Sequence, residues 1–417
     1  LGGLGAAPLL VASAAQAAPV LSSRNFGLRT ADGPRRNAWM EVDASAFEHN
    51  IAEVRKLAGT ARLCAVMKAN AYGAGIDLLM PSVMALGVDV VGITSNDEAR
   101  VAREMGYRGR IVRLRSGAPD EIEDAFPLNV EELIGNADAA SLAAGRFRRR
   151  KPRGALRVHL ALNADGMSRN GVELSTPYGQ DEGRAILATP GLKVVGLMTH
   201  YPTEEAQDIQ RQLARFEADI AWLSANGLPA GPLERHSANT FATLHHPKTL
   251  LDMVRVGGAL YGDVTPDFPQ FRQTLTVKAR VAAVNHYPSQ QTVAYDRTYR
   301  LSRESWLANI PIGYSDGMRR SLSHANQPAF ASEGRNATQV LIGGRRFPVV
   351  GRVTMNTVMA DVTGWQQTIH PGDEVVLFGR QGGEFISQKE METNASAYGP
   401  ELLAMLGNSL PKVLKAR

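Results

Sequence analysis

The chain has 417 residues, 44% of them hydrophobic and 21% charged, with a formal net charge of +5. That composition suits one large and one smaller globular domain and argues against wholesale disorder. The single cysteine, Cys64, excludes an intrachain disulfide and a thiolate metal cluster.

In chain order, Leu4 to Ala18 is rich in Ala, Leu and Val and ends in Ala15-Gln16-Ala17 before Ala18-Pro19. An apolar core followed by an A-x-A site predicts a signal peptide over residues 1–18 and a bacterial periplasmic location; the plainer alternative is an Ala-rich arm. The stretch is too short to span a bilayer as a helix. No later segment is long and apolar enough to do so, and no membrane insertion is expected of the mature chain. Residues 19–36 read as a flexible arm.

The folded part is expected to begin at Asn37. Trp39–Val42 alternates like a strand, with a possible place in the sheet of the C-terminal domain. Ser45-Ala-Phe-Glu48 has capping-box spacing and predicts a helix with Phe47, Ile51, Val54 and Leu57 on one face. Eight strands are then expected at Leu63–Met67, Val88–Ile93, Arg110–Leu114, Val130–Ile134, Leu156–Leu162, Val194–Met198, Leu233–Arg235 and Met253–Val256. Helical segments such as Asp97–Met105 and Glu204–Ala225 lie between most of them. The alternation predicts an α/β fold, a (β/α)8 TIM-type barrel over residues 37–270. The dense basic run, Arg146 to Lys151, has Phe147 as its only aromatic and reads as a solvated helix end; nucleic acid is not an expected partner. Residues 271–417 read as a mostly β domain, with strands at Thr274–His286, Thr292–Ala294, Trp306–Ile312, Thr338–Ile342, Phe347–Val350, Val358–Val362 and Glu374–Leu377. Helix returns near Ile386–Leu406.

Chemistry in such a barrel gathers at the C-terminal ends of the strands. Lys68, Arg113 and Arg115, Arg169, His200, His236 to Thr240, and Arg255 to Gly258 all fall at expected strand ends. A lysine ending an apolar strand is costly to keep charged, and burial makes its amine a better nucleophile toward an aldehyde. Gly257-Gly258 offers backbone N–H groups to a phosphate. A reactive lysine beside a phosphate site points to pyridoxal 5′-phosphate (PLP). Cys64, inside the run Leu63 to Met67, reads as a small buried hydrophobe. No metal is expected, and His245-His246 reads as loop.

Four segments carry a resemblance: Lys68-Ala-Asn-Ala-Tyr72-Gly-Ala-Gly75, Met253-Val-Arg255-Val-Gly257-Gly-Ala-Leu-Tyr261-Gly262, Ile312-Gly-Tyr314-Ser-Asp-Gly317 and Val350-Gly-Arg-Val-Thr-Met355. They resemble motifs of the PLP-dependent alanine racemases, in order over roughly residues 37–417. The resemblance implies that Lys68 holds PLP and serves as the base for the D-enantiomer, with Tyr314 as the base for the L-enantiomer on the opposite face. It implies a homodimer in which Tyr314 reaches the partner's site. By the same resemblance Arg255 meets the pyridine nitrogen and His200 links Tyr314 to Arg255. Tyr72, Asn239, Thr240, Gly257 and Gly258 match the cofactor-phosphate region. Arg169 and the backbone of Met355 match the substrate-carboxylate contacts.

The chain departs from the family pattern at three places. Leu162, followed by Asn163, stands where a lysine is usual. Thr354-Met355-Asn356-Thr357 replaces Cys-Met-Asp-Gln. Asn408 stands where a bulky aromatic is usual. These changes, with Arg113-Leu-Arg115 and the signal peptide, resemble the periplasmic broad-specificity amino-acid racemases. The implied activity is racemisation of free amino acids including Lys, Arg and Ala. Racemisation of alanine alone, PLP-dependent decarboxylation and a non-catalytic binding role are the alternatives.

Overall fold

The computed structural model describes residues 37–150, 154–264, 267–326 and 337–416. The expected signal peptide and the 19–36 arm lie outside the described residues. Eight parallel strands form the barrel: Arg62–Val66, Val90–Ile93, Arg110–Ser116, Val130–Ile134, Leu156–Ala161, Leu192–Met198, Glu234–His236 and Met253–Val256. Each of the first six pairs with the next, and Met253–Val256 returns to pair with Arg62–Val66. The seam lies beside the three-residue strand Glu234–His236. Two backbone hydrogen bonds bridge it, Asp252 N to Arg235 O at 3.1 Å and Arg255 N to Ala238 O at 3.0 Å. Every residue of Val130–Ile134 and of Met253–Val256 is buried, because helices cover the outer face and side chains fill the interior.

The first helix, Ala44–Ala58, corrects one local expectation. Its cap is Asp43, whose carboxylate accepts from Ala46 N at 2.9 Å, a bond worth about 1 kcal/mol. Ser45 Oγ donates to that same carboxylate, and Glu48 accepts from Ser82 Oγ at 2.7 Å instead of closing a box. Leu57 is exposed, and Ala58 takes the buried position. A capping box does form at Ser95 and Glu98, opening the helix Asn96–Glu104. The basic run ends the helix Ala137–Arg149, where Arg146 and Arg150 pair with Glu123.

Beyond the barrel, a ten-stranded sheet runs in the order Ala283–Tyr287, Ser305–Ile310, Val358–Asp361, Arg345–Val350, Gln339–Ile342, Glu374–Gln381, Leu275–Arg280, Ala38–Val42 and Lys412–Leu414, with Glu384–Ile386 added beside Glu374–Gln381. Ala38–Val42 is thus built into the C-terminal sheet, antiparallel to Leu275–Arg280 and parallel to Lys412–Leu414. Thr274–His286, expected as one strand, is two. The chain changes partners at Val281 and Ala282, whose N–H groups bond to Asp373 O and Asn309 O. Thr292–Val293 pairs with Tyr299–Arg300 as a separate two-stranded ribbon.

The helix Gly399–Ser409 ties the two parts together. On one side its backbone meets the turn after Lys68, where a Cβ on Gly73 would stand 2.3 Å from Leu403 O. On the other it meets the turn after Tyr314, where a Cβ on Gly317 would stand 2.7 Å from Leu406 N. Glycine at both positions allows this close backbone contact.

Candidate active site

The strand Arg62–Val66 ends at Met67, and Lys68 opens a tight turn. Ala69, Asn70, Ala71 and Tyr72 all have φ between 53° and 57°, a left-handed turn unusual for residues with a Cβ. Its supports are specific. Glu98 Oε1 accepts from Asn70 N at 3.0 Å, and Asn70 Oδ1 accepts from Ile76 N at 2.8 Å. Tyr72 stacks on Tyr261 with centroids 4.6 Å apart, and Tyr261 Oη donates to Val66 O at 3.0 Å. The turn places the Lys68 amine 6.0 Å from the Tyr72 ring centroid, at the C-terminal end of the barrel.

There a cavity of about 440 Å³ opens, lined by Lys68, Tyr72, Arg169, His200, Asn239, Thr240, Arg255, Gly257 and Gly258 among others. All nine were expected at the site from sequence, and the fold brings them together. The Lys68 side chain is accessible through the cavity, yet the protein around it lowers its pKa, first by desolvation and then through the Arg169 and Arg255 charges. The shift raises the share of the neutral amine, the form that reacts with an aldehyde.

Arg255 is the most constrained of the set. Its Nη1 donates to His236 O at 2.7 Å and lies 3.2 Å from His236 Nδ1. Its Nη2 meets Thr199 O at 2.9 Å, Ser237 O at 3.0 Å and His200 Nδ1 at 3.1 Å. Both terminal nitrogens are committed to protein acceptors, which leaves Nε–H as the donor for a ligand. Burial brings its pKa down to about 10, so the guanidinium stays charged at neutral pH. His200 must accept at Nδ1, since arginine only donates. Burial, with Arg255 next, brings its pKa down to about 3, so it is neutral.

Also along the cavity, Asn239 Oδ1 accepts from Ala242 N at 2.9 Å and Thr240 Oγ1 accepts from Gly257 N at 3.2 Å. A Cβ on Gly257 would stand 2.2 Å from Tyr72 Oη, so only glycine leaves this cradle open. A reactive amine, a committed guanidinium and a glycine-lined cradle fit a phosphate-bearing aldehyde with a ring nitrogen.

Some residues fall elsewhere. Tyr314 and Met355 lie together, Tyr314 N bonding to Thr354 O at 3.0 Å and Ser315 N to Met355 O at 3.0 Å. They are 41% and 53% exposed, and neither lines the cavity of its own chain. Arg113 is wholly buried and serves an ion cluster, with Glu132 at 2.6 Å and Glu121 at 3.0 Å. Arg115 joins it through Glu121. Both were strand-end candidates, but the fold points Arg113 away from the cavity into these carboxylates. Leu162 and Asn163 line a second, small pocket with Arg169 and His200. Asn408 is exposed and is not part of the cavity wall. His245, read as loop, ends the helix Thr240–His245 and lines the cavity. Cys64 is buried, and burial pushes its thiol up to about 12. Sequence reading missed Glu98, whose capping-box spacing was the available signal, and it missed the buried partners Glu131 and His159, polar residues inside apolar strands.

The family model "Alanine racemase, N-terminal domain" matches residues 42–265, and "Alanine racemase, C-terminal domain" matches residues 274–414. The chain is 46% identical to the broad specificity amino-acid racemase of Aeromonas hydrophila subsp. hydrophila, over 97% of each chain. It is 40% identical to the lysine racemase of Proteus mirabilis, over 91% of this chain and 89% of that one. The crystal structure of alanine racemase from Streptomyces lavendulae superposes with a TM-score of 0.82 at 26% identity, over 92% of this chain and 98% of that one. The matched domains, the barrel-and-sheet architecture and the clustered motifs agree: the chain belongs to the alanine racemase family.

Proposed function

We propose that the chain racemises free amino acids of several side-chain classes, basic ones included, with PLP held at Lys68. The observation that carries this is the single cavity joining the Lys68 amine, the Arg255 guanidinium and the Gly257–Gly258 cradle. Bound PLP supplies an electron sink that acidifies the substrate Cα proton. The protein supplies the rest. Lys68, its pKa lowered by desolvation and by the Arg169 and Arg255 charges, takes or returns that proton on one face. Tyr314, brought by a second copy of the chain, does so on the other. Arg255, which keeps its own proton at neutral pH, would meet the ring nitrogen and would disfavour its protonation. That weakens the sink and disfavours decarboxylation and transamination. His200, 3.1 Å from Arg255, would link it to a Tyr314 brought by the second chain. Tyr72, Asn239, Thr240, Gly257 and Gly258 would hold the phosphate, and Arg169 with the Met355 backbone would orient the substrate carboxylate.

The breadth of substrate rests on the names of the relatives and on Leu162 and Asn163, which stand beside Arg169 and His200 where the family has a lysine. Its test is chiral chromatography of the PLP-loaded enzyme incubated separately with L-Lys, L-Arg and L-Ala. Mixed enantiomers from several of them are expected. Conversion of alanine alone would remove the breadth, and no conversion despite bound PLP would remove racemisation. Export to the periplasm is the reading of Leu4 to Ala18. It predicts a mature N-terminus at or near Ala18 in protein recovered from a periplasmic fraction; an unprocessed start would refute it.

A further inference from the structure

We propose that Glu131, His159 and His236 form a one-directional hydrogen-bond relay through the barrel interior that holds Arg255 in place, making them positioning residues for a ring nitrogen bound there. The last clause rests on the PLP reading; the relay itself does not.

The direction follows from which atoms can donate. Arginine has no acceptor, so His236 Nδ1, 3.2 Å from Arg255 Nη1, must accept. Neutral His236 therefore carries its proton on Nε2. That nitrogen is 2.8 Å from His159 Nδ1, which accepts in turn. His159 then carries its proton on Nε2, 3.0 Å from Glu131 Oε2. One arrangement of protons satisfies every contact, and it ends on a carboxylate. Four different strands supply the four residues: Val130–Ile134, Leu156–Ala161, Glu234–His236 and Met253–Val256. His159 and His236 have no solvent exposure, and their rings meet edge to face at 4.8 Å.

Two further observations support a built device. Glu131 receives Arg110 at 2.8 Å and Arg157 at 2.6 Å, so the end of the relay is held ionised by two guanidinium groups. Burial pushes the Glu131 carboxyl up, but the hydrogen bonds from His159 and Arg110 outweigh it and hold it well below the usual carboxylate range. Burial, then the His159 and Arg255 contacts, holds His236 neutral. The adjacent strand also makes room. A Cβ on Gly196 would stand 2.2 Å from His159 Nδ1, so glycine there admits the ring. Each imidazole presents a lone pair toward Arg255 and a proton toward Glu131. The aligned dipoles favour the protonated guanidinium and fix its plane, leaving Nε–H free for the ligand.

The test compares His159→Leu with His159→Gln in the full-length chain. Glutamine can accept from His236 and donate to Glu131; leucine can do neither. In wild-type protein without cofactor, histidine-selective ¹⁵N spectroscopy at neutral pH should show His159 and His236 both neutral and protonated on Nε2. In PLP-loaded protein, His159→Leu should lower kcat on the order of tenfold, the cost of an unsatisfied buried donor, with KM nearly unchanged and a shifted cofactor absorbance. His159→Gln should restore most of kcat and the wild-type spectrum. A charged or Nδ1-protonated His159 or His236 in wild type overturns the relay, even where His159→Leu does not fold. Leu and Gln variants both matching wild type in kcat and spectrum overturn the positioning role. Wild-type protein that neither binds PLP nor racemises would refute the function above, while the tautomer result still decides the relay.

Discussion

His200 and His236 are packed as neutral imidazoles around an Arg255 that stays charged at neutral pH. Burial is the first cause of their lowered pKa values, with Arg255 next for His200 and His159 then Arg255 for His236. The sign for stability follows. Below the ordinary histidine value of 6.5 the unfolded chain takes up protons that the folded chain refuses. Stability contributed by these groups is present above 6.5 and lost as pH falls toward about 3. His200→Asn keeps an acceptor for Arg255 and removes the titrating group. Thermal melts over this window should therefore show a steeper acid loss in wild type than in His200→Asn; parallel curves would refute the assignment.

At the scale of the element, the turn from Ala69 to Tyr72 stores strain of roughly 1–2 kcal/mol per left-handed residue. It persists because Glu98, Asn70 and the helix Gly399–Ser409 hold it from three sides. Gly73 is the tightest point, with φ of 85° and the Leu403 carbonyl 2.3 Å from where a Cβ would sit. Gly87 shares the positive φ, at 59°, but has nothing within 4 Å. Gly73→Ala should lose about 2 kcal/mol more than Gly87→Ala in denaturant unfolding, because only there must backbone move. The same variant should also load PLP poorly, since the turn that aims Lys68 shifts with it. Equal losses in the two variants would show that the close contact carries no weight.

At the scale of the molecule, the proposed two-base site would be divided between two chains. Lys68 faces the cavity, whereas Tyr314 and Met355 are exposed on the other side of the helix Gly399–Ser409. A head-to-tail pair of chains would give each cavity a Tyr314 from its neighbour. Lys68→Ala and Tyr314→Phe should each be inactive alone. Unfolded together and refolded, they should regain activity, to about a quarter of wild type if chains pair at random with one intact site per mixed dimer. No recovery on mixing would place both bases in one chain and refute the shared site.

The eight barrel strands, the β-rich second part and the nine cavity residues were legible in the sequence. Apolar runs, turn residues and motif spacing are local properties of the chain. Strand pairing is not local. Nothing near Val281 and Ala282 announces that Thr274–His286 must divide between two sets of partners, and Asp43 outcompetes Ser45 as a cap through geometry alone. Arg113 and Arg255 read alike as strand-end arginines. Which one met carboxylates and which met the cavity depended on where neighbouring strands directed Glu132 and His236. Residue types and their order along the chain thus set the chemistry on offer. Tertiary structure alone chose the partners, because burial, hydrogen-bond direction and the room left by glycines such as Gly73 and Gly196 arise only when distant segments meet.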